Sequence, residues 1–277
     1  MPTQPPWINA TRHNGRWQIW APTAVKIGST YWVYFAGNRS GATDLPNDQC
    51  IGRARATSPT GPYTPMNNPL YCGLPPEGAG QGQPASNPWG RGALDPEVFR
   101  APDGKLFMLV TLSRTKDNIA VVPLAADGSV PGGVNARATV LASQEFTWHD
   151  GYDDTTPAGR RPVLENPSMI HDPNTGTFLL FYSAGEWYQR NYLTGFARCA
   201  TPTGPCTSDP RGPFLKTGND RSGPGGLTAF RDPDGVARVA YASWPGDGPG
   251  SQPRLTHCAR LVVGTDSDPA NQTVRLG

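Results

Sequence analysis

The sequence predicts an all-β chain of the propeller type, and three observations carry that expectation. Short apolar runs of strand length recur throughout, and no segment holds a helical period over a dozen residues. The runs are punctuated by 33 Gly and 31 Pro among 277 residues, as tight turns require. Four units with one grammar follow each other at intervals of roughly 60–70 residues. In each unit an apolar strand leads through a Gly-containing turn into an aromatic-rich apolar strand, often followed by a third strand that stops at a Pro/Gly turn. Antiparallel repeats of this kind close radially into blades around a channel. Residues 1–277 are therefore expected to form one domain, with blade-like units near 20–72, 92–142, 161–206 and 223–263.

The first unit opens with WAPTAVKIGSTYWVYFAG from Trp20, two apolar runs joined at Ile27-Gly28-Ser29. CIGRARATS and the turn SPTGPY, Ser58 to Tyr63, follow. Residues 73–92 are Gly/Pro/Gln-rich and read as a long loop. The second unit, GALDPEVFRAPDGKLFMLVTL, turns at Asp103-Gly104, a strong hairpin signal. NIAVVPLAADGS adds further strands, and residues 143–160 read as a polar loop containing Trp148, His149, Asp153 and Asp154. The third unit runs from Arg161 to Cys206 and ends in TPTGPC, nearly the same corner as SPTGPY. The fourth, GPGGLTAFRDPDGVARVAYASW, turns at Asp234-Gly235. RLTHCARLVVG then supplies one more strand before a weak tail, and residues 1–19 carry little strand signal.

A net charge of +2 gives no electrostatic argument for a nucleic-acid or anionic-membrane partner. No run of about 18 apolar residues is present to span a bilayer. The first residues, MPTQPPWINATRHNGRW, are polar and lack the charged-then-apolar pattern of a secretion signal. Cys50 and Cys72 bracket one tight turn, and Cys199 and Cys206 another. Neither pair has the close spacing of a zinc site. Two readings stand. One is two disulfides with Cys258 as a buried free thiol, in an oxidising compartment; the other is five reduced, buried cysteines.

Two carboxylates occupy matching places in their units, Asp95 in ALDPEVF and Glu165 in VLENPSM. Each follows an apolar strand start and precedes a Pro. A buried carboxylate is costly without a partner or a purpose. The plain alternative is a strand-end acid in solvent or in a salt bridge. If the first strand of each blade lines the channel, both acids converge at one mouth. Convergent carboxylates suit glycoside hydrolysis, where one acid protonates the departing oxygen and another stays ionised.

Several motifs occur in order: Trp20-Ala21-Pro22 before YWVYFAG, CIGRARATSPTGPY, GALDPEVF before DGK, LENPSMI before FLLFYSAGEWY, YLTGFARCATPTGPC, and GPGG before a Asp-Gly hairpin. Together they resemble family 43 glycoside hydrolases, five-bladed β-propellers of the arabinanase, β-xylosidase and arabinofuranosidase group. The resemblance spans Trp7 to Leu261 and implies inverting hydrolysis of arabinose- or xylose-containing carbohydrate. By motif, Glu165 matches the general acid and Asp95 the aspartate that orients it and adjusts its pKa.

The family's general base is an aspartate ahead of the WAP unit, whereas this chain has no Asp or Glu before Asp44. The first blade is thus expected to be missing or incomplete. Either the copy is shortened or it is a variant without the base, which would leave a non-catalytic carbohydrate-binding propeller. Asp44 and Asp48, in the loop after the first unit, could take the place of the base only by chance of geometry. Gly226 stands where many relatives carry a histidine near a metal or water cluster in the channel, which puts a channel calcium or sodium in doubt, and no other cofactor is expected. Arg231-Asp232-Pro233 reads as a hairpin turn. Sugar rings stack on aromatic faces, which nominates Trp187, Tyr188 and Trp20, with core packing as the alternative for each; Trp32 reads as core. Arg254 matches a substrate-contacting arginine of relatives or is a surface arginine. A secreted monomer with a carbohydrate as its partner is expected.

Overall fold

A computed structural model describes residues 1–8, 19–39, 48–73, 91–113, 118–150, 163–218, 221–246, 248, 253–264 and 273–277. In chain order the strands are β1 (Ile19–Ile27), β2 (Thr30–Asn38), β3 (Asp48–Ala56) and β4 (Thr64–Pro65). They continue with β5 (Arg91–Arg100), β6 (Leu106–Ser113), β7 (Asn118–Leu124) and β8 (Thr139–Ala142). Next come β9 (Leu164–His171), β10 (Phe178–Ala184), β11 (Leu193–Cys199) and β12 (Cys206–Ser208). The last are β13 (Arg221–Arg231), β14 (Ala237–Pro245), β15 (Leu255–Val263) and β16 (Val274–Leu276). Helix among the described residues is limited to two 3-10 turns, Gly133–Asn135 and Thr147–Asp150.

β1 to β8 form one eight-stranded sheet, in which a short parallel pairing of β3 with β5 joins two blade-like halves. β9 to β12 and β13 to β16 form two four-stranded sheets. The chain divides into two compact units, Met1–Thr115 with Ala120–Val140, and Lys116–Ile119 with Leu141–Gly277. The first packs a core of Trp32, Tyr34, Met108, Val110 and Val122. The second packs Leu179, Phe181, Phe196, Val239 and Tyr241. Every residue of β10 is buried, which explains its unbroken apolar run FLLFY.

One device recurs on the first strand of each four-stranded group. The register jumps between Trp20 and Thr23, Leu94 and Glu97, Glu165 and Ser168, and Ser222 and Gly225. In each case two residues oppose one, a β-bulge. The pairs are Ala21-Pro22, Asp95-Pro96, Asn166-Pro167 and Gly223-Pro224, and the opposed residues Phe35, Val110, Tyr182 and Ser243 are all buried. The residue before each proline is left-handed, with φ of 46° at Ala21, 52° at Asp95, 52° at Asn166 and 57° at Gly223. Proline disfavours the right-handed helical region for its predecessor and has no N–H to give the ladder. Gly, Asn and Asp tolerate the left-handed region well; Ala21 does so at a cost of about 1–2 kcal/mol.

The register corrects the expectation that the two acids match. Asp95 is the left-handed residue of its bulge, and its counterpart is Asn166, not Glu165. Glu165 lies one step earlier, level with Leu94, Trp20 and Ser222. A Pro one or two residues downstream looks alike in sequence, but the bulge counts residues.

The turns repeat as well. SPTGPY and TPTGPC both carry cis Gly-Pro bonds at Gly61-Pro62 and Gly204-Pro205. In both, the glycine N–H donates back three residues, to Ser58 O and Thr201 O at 3.0 Å. Arg100 and Arg231, the last residues of β5 and β13, each donate into the following hairpin turn and to a carbonyl at the end of a neighbouring first strand, Lys26 O and His171 O. Asp232 accepts the N–H groups of Asp234 and Val236, so the Arg-Asp-Pro motif is a turn, as its sequence indicates.

Cys50–Cys72 and Cys199–Cys206 are disulfides. Cys258 is free but exposed, against the expectation of burial. It pairs with Ala240 in register and so points away from the face holding Val239 and Tyr241. The tail also differs from expectation, since β16 pairs with β15 although its three residues carry no readable period. Ile8 bridges to Arg39 and Trp7 stacks on Phe35, so the N-terminal residues pack despite their weak signal. The stretch read as a polar loop buries Trp148 and His149 instead; Asp153 and Asp154 lie outside the described residues.

His149 is fully enclosed. Its Nδ1 accepts the backbone N–H groups of Glu145 and Phe146 at 3.0 and 3.3 Å, which assigns the proton to Nε2. That N–H faces the Tyr182 hydroxyl at 3.1 Å, beneath the Asn166-Pro167 bulge. Burial pushes the His149 pKa down to about 4. The imidazole is therefore neutral in the fold at pH values where the unfolded chain, with its ordinary value of 6.5, binds a proton. Stability contributed by this group is full above pH 6.5 and is lost as pH falls toward 4, by at most about 1.4 kcal/mol per pH unit. Urea midpoints measured from pH 7 to 4 should fall more steeply for the parent than for His149→Gln.

Candidate active site

In the second unit, Glu165 is the centre of a polar cluster on β9. The Tyr192 hydroxyl donates to Glu165 Oε1 at 2.7 Å and accepts from Asn166 Nδ2 at 2.9 Å. A two-against-one bulge puts Glu165 and Ser168, three residues apart, on one face of the sheet. The residue opposite Glu165 is Ser183, whose Oγ accepts the N–H of Gly226 at 2.8 Å. Ser168 Oγ accepts the N–H of Ala229, and Thr194 donates to Pro224 O. These hydroxyls serve backbone groups of β13, the edge strand of its sheet, as buried backbone requires.

Tyr192 is buried, and its ring lies against the backbone of Gly225. A Cβ at Gly225 would sit 2.2 Å from Tyr192 Cε1, which no side chain tolerates. At the neighbouring Gly226, φ is 63° and a Cβ would meet nothing within 4 Å. Space is thus open at the position where sequence comparison expects a histidine in relatives.

The segment between β10 and β11 turns tightly, with Gln189 N donating to Glu186 O at 2.8 Å. It holds Trp187 at 58% exposure, the most exposed large apolar residue described. The Tyr188 ring stands edge-on to it at 5.5 Å. Arg254 reaches the same region: its guanidinium donates to the carbonyls of Trp187 (3.0 Å), Gly223 (2.8 Å) and Ala242. It also lies over the rings of Trp244 at 4.4 Å and Tyr192 at 5.2 Å. Burial pushes its pKa down, while Tyr192 and Glu165 act in the opposite direction; the group stays charged in this range.

The structure therefore gathers Glu165, Arg254 and Trp187, with Tyr188 beside them. Asp95 belongs to the first unit, buried at 6% exposure, with Thr111 Oγ1 donating to its Oδ2 at 3.4 Å. Trp20, in the same unit, is half-buried against that unit's core. Asp44 and the side chain of Asp48 lie outside the described residues. Among the described residues, no three His, Cys, Asp or Glu side chains gather as metal ligands would. Sequence reasoning missed Tyr192, Asn166, Ser183 and Gly225. Tyr192 opens YLTGFARC and reads there only as a strand aromatic.

The family model for glycosyl hydrolases family 43 matches residues 2–260. The chain belongs to that family. Among curated proteins, it is 28% identical over 228 residues to the probable arabinan endo-1,5-alpha-L-arabinosidase B of Aspergillus fumigatus, across 76% of this chain and 56% of that protein. It is 26% identical over 203 residues to the extracellular endo-alpha-(1->5)-L-arabinanase of Thermotoga petrophila, across 72% of this chain and 38% of that protein. The family-43 chain thus spans about half the length, or less, of these curated relatives. A crystal structure of a thermostable family-43 glycoside hydrolase matches with a TM-score of 0.70 at 19% identity, over 96% of this chain and 78% of the other. That of an endo-arabinase from Bacteroides thetaiotaomicron matches with 0.64 at 17% identity, over 93% and 80%. The fold is the all-β propeller type of family 43, as the sequence predicts.

Packing at the two neighbouring glycines makes a paired prediction. Gly225→Ala should destabilise the protein by about 1–3 kcal/mol through overpacking against Tyr192. Gly226→Ala should cost only about 1–2 kcal/mol, through its left-handed φ, and leave Tyr192 in place. Thermal melts with near-ultraviolet circular dichroism would separate the two, because only the first should disturb the aromatic signal.

Proposed function

We propose that this chain is the propeller of an inverting glycoside hydrolase acting on arabinose- or xylose-containing polysaccharides or oligosaccharides, with Glu165 as general acid. The observation that carries the reading is the setting of Glu165. It is a half-buried carboxyl next to a bulge, oriented by a tyrosine hydroxyl whose ring packs against a half-buried arginine, and that arginine also holds the carbonyl of the exposed Trp187. Family membership and the names of the curated relatives support the substrate class.

In the proposed step, the protonated Glu165 carboxyl gives its proton to the glycosidic oxygen as the bond from the anomeric carbon breaks. The electron pair leaves with that oxygen, and water adds to the opposite face of the sugar and gives its proton to bulk water, a slow route compared with transfer to a positioned base. The Tyr192 hydroxyl holds the carboxyl plane, and by donating to Oε1 it favours the ionised form left after transfer. Asp95 is carried in the proposal as the second carboxylate, which tunes the acid. Trp187 and Tyr188 offer faces on which a sugar ring stacks, and Trp20 is carried as a subsite aromatic. The reaction needs no cofactor in this reading, and the protein acts as a secreted monomer. Two disulfides and an extracellular relative support secretion.

A second reading, carbohydrate binding without turnover, rests on one observation: residues 1–43 contain no Asp or Glu to match the family's general base.

Reducing-sugar release from arabinan, xylan and their oligosaccharides tests both. Hydrolysis should fall by about 10²-fold or more in Glu165→Gln and be unchanged after dialysis against a chelator. Trp187→Ala should weaken oligosaccharide binding by about 1 kcal/mol in calorimetry. Equal rates for parent and Glu165→Gln would remove Glu165 from the mechanism. Binding with no turnover in the parent would favour the second reading.

A further inference from the structure

We infer that Arg254 is a positioning residue for Glu165, acting through Tyr192 rather than on the sugar. The inference rests on the reading of Glu165 as the acid and deepens it. Sequence comparison leaves Arg254 as a substrate contact or a surface arginine, but three of its five N–H donors go to protein carbonyls.

Arg254 precedes β15, yet its guanidinium joins three other segments. Nη1 donates to Trp187 O in the segment after β10. Nη2 donates to Gly223 O, the left-handed residue of the β13 bulge, and to Ala242 O on β14. A planar fork can serve several carbonyls at once, which a lysine ammonium on a flexible stem cannot do in the same geometry. The cation also lies over the rings of Trp244 and Tyr192, at 4.4 and 5.2 Å. Cation–π contacts of this kind are worth more when desolvated, and this guanidinium is shielded enough for burial to act on its charge.

Tyr192 is therefore packed by two groups: the backbone at Gly225, which leaves no room for a Cβ, and the Arg254 cation. Its hydroxyl is thereby delivered to Glu165 Oε1 at 2.7 Å, with Asn166 Nδ2 donating to the same oxygen of the phenol. A phenol that both accepts and donates polarises toward the carboxylate. Loosening the ring weakens that hydrogen bond without removing any charge from the neighbourhood. Because a hydrogen bond to the ionised form lowers a carboxyl pKa, loosening it raises the pKa of Glu165.

The test reads Glu165 directly, without requiring turnover. The full chain, labelled with ¹³C at glutamate Cδ, is titrated by NMR, and the Glu165 resonance is assigned by its absence in Glu165→Gln. Tyr192→Phe should raise the Glu165 midpoint by about 1 pH unit, the scale of one hydrogen bond to a charged group. Arg254→Lys, which keeps the charge, should raise it in the same direction. In the double variant, Arg254→Lys should add nothing to Tyr192→Phe, since both act through one contact. Arg254→Gln, which also removes the cation, is carried alongside should the lysine variant fold poorly; the part of its shift that survives in the Tyr192→Phe background is the direct charge effect, and the part that is lost is the one carried by Tyr192.

The inference is overturned if the arginine variants leave the midpoint unchanged, or if their effect persists undiminished in the Tyr192→Phe background. It is also overturned if they weaken oligosaccharide binding in calorimetry while the midpoint stays put, the result expected of a direct sugar contact. Failure of the hydrolase reading would show separately, as hydrolysis indifferent to Glu165→Gln.

Discussion

The structure depends on a backbone constraint, the two-against-one bulge at an X-Pro step on the first strand of each blade-like group. Proline cannot donate to the ladder, and the residue before it turns left-handed at Ala21, Asp95, Asn166 and Gly223. The strand is interrupted, but not at the expense of the core, because the residue opposite each bulge is buried. The interruption changes which side chains share a face and leaves backbone groups to be satisfied by something other than the neighbouring strand.

What satisfies such groups builds the site. Around β13, the edge strand of its sheet, the hydroxyls of Ser183, Ser168 and Thr194 and the guanidinium of Arg254 take the groups that the ladder leaves. The same wiring surrounds Glu165, because Ser183 is its cross-strand partner and Arg254 packs on the tyrosine that bonds it. Support from below is separate: His149 holds the Tyr182 hydroxyl under the Asn166-Pro167 bulge. A neutral, desolvated histidine suits that place because it gives one hydrogen bond and accepts others without bringing a charge into the core.

Much of this was legible in the residues. The Asp-Gly hairpins, the twin Thr-Gly-Pro corners and the apolar run of β10 announce themselves, because turn chemistry and strand period are local. The disulfide partners were legible as pairs across short turns. The fate of Cys258 was not, since a cysteine has no period of its own and its face follows from pairing with Ala240. Trp148 and His149 sit among polar residues in sequence, and only their stacking against Tyr182 makes them core. Glu165 and Asp95 stood out as acids beside prolines, but their one-residue offset is a matter of register.

By itself the sequence determined the all-β class, the order of the blade-like units, the turns, and the acid on which the proposed chemistry rests. Each of these depends on residues near one another in the chain, where φ/ψ preference and alternation act directly. Only the tertiary structure decided that Tyr192, Asn166, Gly225 and Arg254 meet around Glu165. Their neighbours come from β9, the segment before β11, β13 and the segment before β15. No local pattern encodes a hydrogen bond between residues 165 and 192, or a guanidinium from 254 shared among three strangers in sequence. Such contacts arise when bulged strands pack and their unpaired polar groups must find partners.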